Sequence, residues 1–244
     1  TKRWRRESRA RAGRSSSAAG GLMRGNVLLL ETSTETGSVA IARDGVLVAE
    51  LSFASRDPAS GARTEALAPA VAECLGRAAM PARALDAVVC GAGPGGFTSL
   101  RSAAAFAKGI CSALTVPLYA VSSLELLAWS ATVPDGQFIA ALHAGRGEWF
   151  CHDIDRDGER TNLVSAAYLI GNDELHARAE RLGAKVIGPR LEVDVEPRVT
   201  SAIPRLNEIE MRGPVDIDSW EPTYGRLAEA QVKWEAAHGR PLTM

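Results

Sequence analysis

Residues 93–101 have the sequence Gly93-Pro94-Gly95-Gly96-Phe97-Thr98-Ser99-Leu100-Arg101. The apolar run at 87–90 before them predicts a buried strand, and the Ala-rich residues 98–114 predict a helix. Three glycines and a proline between a strand and a helix make a tight loop. Such a loop can hold an anion at the helix N-terminus, or it can let the chain pass close to a neighbouring element. Taken alone, the residues favour the close passage.

Strands dominate the chain ahead of this loop. Apolar runs at 27–30, 38–43 and 46–53 predict three strands, and Asp44-Gly45 is a strong hairpin turn between the last two. A helix over 64–80 follows, because its apolar side chains recur at helical spacing. Beyond the second helix, we predict a strand at 118–121 and a helix that ends near Ser130.

The same order of elements then restarts in a shorter form. The predicted strands are 137–142, 148–154 and 185–187, and the helical segments are 173–182, 197–210 and 223–238. This weak duplication predicts an α/β fold of two lobes, each with a mixed sheet and flanking helices. The predicted division is a disordered basic extension at 1–22, an N-terminal lobe at 23–131, a C-terminal lobe at 132–219, and a C-terminal helix at 220–244 that packs back on the N-terminal lobe.

Charge is unevenly distributed along the 244 residues. The net charge is −1 overall and +6 over residues 1–22, which leaves −7 for residues 23–244. An acidic body is a poor candidate for binding nucleic-acid phosphates by itself. For the basic segment three interpretations stay open, namely an extension upstream of a natural start at Met23, a targeting segment, or a nucleic-acid-binding arm; the first is favoured.

Cysteines and histidines do not form a recognisable metal or redox motif. The four cysteines contain no CxxC pair and fit buried thiols in a reducing cytosol, so we expect a cytoplasmic protein. No two histidines have the i, i+4 spacing that places two imidazoles on one helix face, and we predict no metal site. No apolar run has the length of a membrane span.

Four stretches of the sequence together carry a family resemblance. The loop 93–101, with Ala107-Lys108-Gly109, is the most specific of them. The others are Leu28-Leu29-Leu30-Glu31-Thr32-Ser33-Thr34 with Gly37-Ser38-Val39-Ala40, Glu65-Ala66-Leu67-Ala68-Pro69, and 140–147 with Glu148-Trp149-Phe150. They resemble the TsaB family of bacterial tRNA threonylcarbamoyladenosine biosynthesis proteins, and Pro222-Thr223-Tyr224-Gly225-Arg226 matches the family's C-terminal end. The family shares a two-lobed fold with actin, Hsp70 and sugar kinases, so the resemblance implies an actin-like fold.

The resemblance also implies a role and partners. The chain is expected to be a non-catalytic scaffold that activates the catalytic paralogue TsaD for transfer of threonylcarbamoyl to tRNA adenosine. The ATPase TsaE is expected to join, and tRNA is expected to bind only through the complex. No cofactor of its own is implied; ATP or ADP at the interface of the complex, and a homodimer of the isolated chain, stay open.

The helices at 64–80 and 98–114 are the expected partner surface, because family members dimerise through this region. Small side chains leave the second helix little bulk, so one side can cover the sheet while another meets a partner. The predicted interface residues are Glu65, Ala68, Ala72 and Leu75 on the first helix and Leu100, Arg101, Ala104, Lys108 and Cys111 on the second.

Three departures from the family pattern mark a divergent member. Glu31 stands where the family usually has Asp, Ser99 where it has Gly, and His143-Ala144-Gly145 where it has Asp-Ala-Arg. In actin-like folds an acidic residue at position 31 positions metal-bound nucleotide, so Glu31-Thr32-Ser33 is interpreted as a vestigial phosphate hairpin. The alternative to a catalytic role is a polar turn that caps a buried strand, and this alternative is favoured. The alternative function is a small actin-like ATP-dependent phosphotransferase that acts alone.

Overall fold

The computed structural model describes residues 23–54, 66–158 and 160–225. The predictions made for residues 1–22, for Glu65 and for residues 226–244 lie outside these ranges.

The first lobe is built on a five-stranded mixed sheet. Its strands are β1 (Asn26–Glu31), β2 (Thr36–Arg43), β3 (Val46–Ala54), β4 (Ala87–Gly91) and β5 (Leu118–Val121). They lie in the order β3-β2-β1-β4-β5, with β1, β2 and β3 antiparallel and β4 and β5 parallel to β1. β1 is central and covered on both faces, which is why 27–30 is a continuous apolar run with no exposed surface. The predicted strands of this lobe are confirmed.

Two helices cover one face of this sheet. They are α1 (Leu67–Arg77) and α2 (Phe97–Leu114), and a short 3-10 turn at Ala82–Ala84 lies between them in the chain. Cys74 of α1 and Ala103 and Ala107 of α2 are buried in one apolar cluster with Leu28 of β1. In the described residues α1 is shorter than the predicted helix, because it ends at Arg77, ahead of the left-handed backbone of Ala79.

The second lobe has its own mixed sheet. Its strands are β6 (Gly136–Gly145), β7 (Glu148–Asp157), β8 (Arg160–Leu163), β9 (Tyr168–Gly171), β10 (Lys185–Gly188) and β11 (Val193–Asp194). The order is β11-β10-β6-β7-β8, with β9 also paired to β7. The sheet is mixed, because β10 runs parallel to β6 whereas β7 runs antiparallel to it. Helix α4 (Asn172–Leu182) packs on one face through Leu175. Two mixed sheets with flanking helices confirm the predicted two-lobed α/β fold.

One helix joins the two lobes. α3 (Ser123–Ser130) begins at Ser122, whose side chain accepts a hydrogen bond from the Leu124 amide while Glu125 completes the capping box. Leu126 packs on the first sheet, whereas Leu124 and Leu127 pack on the second. A helix that is apolar on most sides is expected to be buried on most sides, and α3 is the apolar layer shared by both lobes.

The chain returns to the first lobe after β11. A 3-10 helix (Val199–Arg205) and α5 (Leu206–Met211) cover the face of the first sheet opposite α1 and α2, through buried residues that include Ile203 and Leu206. This packing differs from the division that assigned 132–219 to the C-terminal lobe. The cause is an apolar face at 199–209 that completes the first sheet's core.

Residues 215–225, called the strap, run along α2 and the glycine-rich loop. The Val215 amide donates to Leu118 O at 2.8 Å, and the Thr223 amide donates to Ala92 O at 2.7 Å. The Tyr224 ring lies 4.6 Å from the ring of Phe97, and Lys108 Nζ lies 5.9 Å from the ring of Trp220. The C-terminal segment therefore packs back on the N-terminal lobe over 215–225, as an irregular segment with a turn at 217–219. None of the helices in the described ranges is long and apolar enough to cross a membrane.

Candidate functional site

A cleft lies where the two lobes meet. It is a cavity of about 360 Å³, formed by the β1–β2 turn, the first turn of α2, the β6–β7 hairpin and the loop around β11. Its walls are Ser33, Thr34, Glu35, Gly96, Ser99, Leu142, His143, Trp149, Pro189, Arg190 and Glu196. The cleft contains part of the predicted phosphate hairpin and part of the glycine-rich loop.

Glu31 ends β1, but its carboxylate does not line the cleft. The residue has no exposed surface. One carboxylate oxygen, Oε1, accepts a hydrogen bond from the Ser33 amide, and Ser123 Oγ donates to Oε2 at 2.9 Å. Position 91 must be glycine for this arrangement, because a Cβ there would lie 2.0 Å from Glu31 Oε2. The carboxyl group thus ties the β1–β2 turn to the start of α3.

Burial raises the pKa of the Glu31 carboxyl, while the hydrogen bonds from Ser33 and Ser123 oppose that rise. The carboxyl group therefore lies in the interior and does not line the cleft. This placement agrees with the interpretation of Glu31 as part of a polar turn.

The glycine-rich loop packs directly on the hairpin. The Gly96 amide donates to Ser33 O at 2.8 Å, and Thr32 Oγ1 donates to Ser99 O at 3.1 Å. A Cβ at Gly95 would lie 2.5 Å from Ser33 Cβ, so glycine is required for this approach. The glycine-rich loop therefore passes close to a neighbouring element, as predicted. Of the other loop residues, Gly93 and Pro94 are buried, Phe97 contacts the strap and Thr98 is exposed.

The second lobe contributes an aromatic wall. The rings of His143 and Trp149 meet edge to face at 5.2 Å, and Trp149 Nε1 donates to Asn172 Oδ1 at 3.2 Å. His143 is exposed and lies near the end of β6. In the part of the chain that the structure describes, no group of three or more His, Cys, Asp or Glu side chains could hold a metal ion.

Two polar contacts cross the cleft from lobe to lobe. Thr34 Oγ1 lies 2.7 Å from Glu196 Oε2, and the Arg190 guanidinium forms an ion pair with Glu35. Burial raises the pKa of Glu196, the hydrogen bond with Thr34 opposes this, and the charge of Asp194 adds to the rise. These contacts were not predicted from the sequence. Glu35 lies beside the Glu31-Thr32-Ser33 turn and could have been found there, whereas Arg190 lies 155 positions from Glu35.

The predicted partner surface needs a correction on α2. Leu100, Ala104 and Cys111 were expected on an outward side, but each is buried within the chain itself, at 0%, 5% and 1% exposure. Cys111 faces the sheet core, and the strap runs along the side of α2 that carries Phe97 and Lys108.

The rest of the predicted partner surface remains accessible in whole or in part. Ala68, Ala72 and Arg101 are exposed, and Leu75 and Lys108 are half-buried. The outward side of α2 consists instead of small residues, namely Ser102, Ala105, Gly109 and Ser112.

Comparison with known protein families identifies the family of this chain. The family model described as TsaD, tRNA N6-adenosine threonylcarbamoyltransferase, matches residues 57–184, just over half of the chain. The chain belongs to this family. Within the family it is a divergent TsaB-like member, as the relatives and structures below indicate.

Two curated relatives carry the TsaB name. The tRNA threonylcarbamoyladenosine biosynthesis protein TsaB of Escherichia coli is 28% identical over 65% of this chain and 68% of its own length. TsaB of Bacillus subtilis is 27% identical over 85% of this chain and 97% of its own. The crystal structure of a Pseudomonas aeruginosa protein, described as uncharacterized and similar to peptidase YeaZ, superposes with a TM-score of 0.67 at 25% identity and covers 83% of this chain and 100% of its own. The fold of this family member is thus the two-lobed actin-like fold that the sequence predicted.

Proposed function

We propose that this chain acts in tRNA threonylcarbamoyladenosine biosynthesis as a non-catalytic scaffold, which pairs with the catalytic paralogue TsaD and activates it for transfer of threonylcarbamoyl to tRNA adenosine. The role in this pathway rests on family membership and on the TsaB-named relatives. The scaffold role is a more specific proposal than the role in the pathway. In this proposal TsaE joins the assembly, and the site of action is the cytoplasm.

The observation that carries the scaffold role is the placement of Glu31. A phosphotransferase of this fold needs a carboxylate that reaches metal-bound nucleotide in the cleft. Here the carboxyl at that strand end has no exposed surface, and both of its oxygens accept hydrogen bonds from the protein. Moving it into the cleft would break these bonds and leave a polar cavity beside Gly91, which is costly.

Charge supports an indirect contact with tRNA. Residues 23–244 carry a net charge of −7, and binding of the phosphate backbone depends on its neutralisation by Lys and Arg. We therefore propose that tRNA reaches this chain only through the complex.

A nucleotide fits the cleft of this chain poorly. The first turn of α2 contains no acidic residue, and Gly96 and Ser99 line the cavity, which suits a phosphate. The carboxylates of Glu35 and Glu196 line the same cavity and would repel it, and the Arg190 cation there is already paired with Glu35. If ATP or ADP takes part, we place it at the interface of the complex, with this chain contributing surface only.

The corrected partner surface consists of the exposed sides of α1 and α2. Ala68 and Ala72 on α1, and Ala105 and Gly109 on α2, are exposed and small. Among the described residues, a Cβ at Gly109 would meet no atom within 4 Å, which leaves room for a partner helix to approach closely. A specific complex of this kind buries roughly 1,600 Å² in total.

Co-purification with TsaD from the same cell tests this proposal. Ala72→Arg and Ala105→Arg place a long cation on the outward sides of α1 and α2, and each should abolish capture of TsaD and the stimulation of threonylcarbamoyl transfer in a reconstituted assay. Ala177→Arg is the matched control, since Ala177 is an exposed alanine on α4 of the other lobe. Capture that is unchanged in both test variants, with unchanged melting temperatures, would overturn this surface.

A further inference from the structure

One carboxylate on the cleft wall has an oxygen without a partner. Glu196 lines the cavity and is half-buried. Its Oε2 lies 2.7 Å from Thr34 Oγ1, whereas its Oε1 forms no hydrogen bond or ion pair with the described residues. Arg190 lines the same cavity, but its guanidinium forms an ion pair with Glu35. A carboxylate withdrawn from water without a counter-charge of its own is costly, so a positively charged ligand would stabilise this wall.

The fixed charges around Glu196 have the same effect. Burial raises the pKa of the Glu196 carboxyl, the hydrogen bond with Thr34 opposes this rise, and the charges of Asp194 and Glu35 add to it. Arg190 attracts the carboxylate, but it is 80% exposed, so water screens its charge. A cation bound in the cavity would reduce the repulsion among these acidic groups, whereas an anion would increase it.

The wall that the second lobe contributes is aromatic. Trp149 and His143 line the cavity, and their rings meet edge to face at 5.2 Å. Leu142 and Pro189 add apolar surface to the same cavity. Aromatic rings attract organic cations through the negative charge of their faces, and apolar walls suit the hydrocarbon part of such a molecule. The cavity volume of about 360 Å³ lies within the range of small-molecule pockets.

We propose that this cavity binds the ammonium group of a small organic amine, with the charge at Glu196 and the hydrocarbon part against Trp149 and His143. This inference does not depend on the scaffold role. An ammonium group has three N–H donors, and Glu196 Oε1 can accept one of them. Ser33, on the first-lobe wall, has a buried hydroxyl that lacks a hydrogen-bond partner among the described residues, and its oxygen is a second acceptor.

Saturation-transfer difference NMR with n-butylammonium tests the proposal, because it detects weak binding through the ligand's own methylene signals. The matched control ligand is n-butanol, since it has nearly the same shape and no charge. A pH of about 8 keeps an alkylammonium charged, a carboxyl ionised and an ordinary histidine neutral. Potassium chloride at about 0.15 M screens unspecific attraction to the acidic surface. The signal of n-butylammonium should be saturable, and n-butanol at the same concentration should give little or none.

Two substitutions locate the site. Glu196→Gln keeps the shape of the side chain and removes its charge, so n-butylammonium should bind at least about tenfold more weakly. Glu174→Gln makes the same change at an exposed position of α4 outside the cavity and should leave binding unchanged. Melting temperatures of both variants confirm that they fold.

Three results would refute the amine site. They are a parent protein that does not bind n-butylammonium, equal binding of n-butanol and n-butylammonium by the parent, and unchanged binding of n-butylammonium in a folded Glu196→Gln protein. Should Glu196→Gln fail to fold, the comparison of the two ligands in the parent protein decides.

Discussion

At the scale of single residues, the Glu31 carboxyl group fills the space that a side chain at position 91 would occupy. A Cβ at position 91 would lie 2.0 Å from Glu31 Oε2, and that carboxyl cannot move away without breaking its bond with Ser123. Gly91→Ala should therefore destabilise the protein by about 1–3 kcal/mol. In a Glu31→Asp background the carboxyl is one methylene shorter, and the same substitution should cost less.

A double-mutant cycle by urea unfolding measures this coupling, which should exceed about 0.5 kcal/mol. Gly76→Ala is the control, because a Cβ at this helical position meets no atom within 4 Å in the part of the chain that the structure describes. Its effect should be neutral or stabilising, by up to about 1 kcal/mol, in both backgrounds. If Gly91→Ala costs the same in the parent protein as in the Glu31→Asp background, the shared space is not what constrains position 91.

Asp153 is the residue whose ionisation stabilises the second lobe. It is buried on β7, where the Arg178 guanidinium binds both of its oxygens and the Tyr168 hydroxyl donates to one. Burial alone would raise the pKa of Asp153, but the hydrogen bonds from Arg178 and Tyr168 outweigh it and lower that pKa. The stabilisation is therefore present above pH about 3.9 and is lost as pH falls through the lowered pKa.

Asp153→Asn should lower the free energy of unfolding by about 2 kcal/mol at neutral pH, since it removes one partner of a buried ion pair. The difference from the parent protein should shrink as the pH is lowered below about 4. Glu73→Gln is the control, because the Glu73–Arg77 pair on α1 is more than half exposed and should contribute under about 0.5 kcal/mol. A difference that grows in acid would contradict this assignment.

At the scale of elements, α2 carries adjacent alanines with opposite roles. Ala104 is 5% exposed, whereas Ala105 is exposed to solvent. Ala104→Arg should lower the melting temperature by several degrees or prevent folding, because a long cation has no space on the buried side. Ala105→Arg should leave the melting temperature nearly unchanged and act only on partner capture. Differential scanning fluorimetry of both variants tests this; a folded Ala104→Arg protein with an unchanged melting temperature would mean that this side is free.

The sequence predicted α2 itself but not its orientation. Its residue types and the glycine-rich loop before it predicted the helix, with both ends correct to within one residue. A helix with small side chains on nearly every side has no single apolar stripe, so spacing cannot decide which side faces the sheet. The strap covers one side of α2 and so determines which side stays exposed. Its Trp220 lies more than a hundred positions after Lys108, which it contacts.

At the scale of the whole molecule, the two lobes were predictable because each repeats the order hairpin, helix, strand. The packing of 199–211 on the first sheet was not, because an apolar helical face such as Ile203 and Leu206 does not indicate which sheet it will cover. For the same reason, only part of the cleft could be predicted from the sequence. Its first-lobe wall follows from local motifs, whereas Glu196 and Arg190 reach it through the path of the chain between lobes.

The whole molecule also determines what this chain can do alone. Purified by itself, it should show no appreciable ATP hydrolysis or phosphotransfer, because the Glu31 carboxyl is held in the interior by Ser33 and Ser123 and cannot position metal-bound nucleotide. Phosphate release with ATP and Mg²⁺ measures this, with the full assembly of TsaD and TsaE as the active reference. The informative variant is Glu31→Ala, which should destabilise the protein but leave the isolated chain's absence of turnover unchanged. Robust turnover by the isolated chain that disappears in Glu31→Ala, at a temperature where both proteins are folded, would instead support the phosphotransferase.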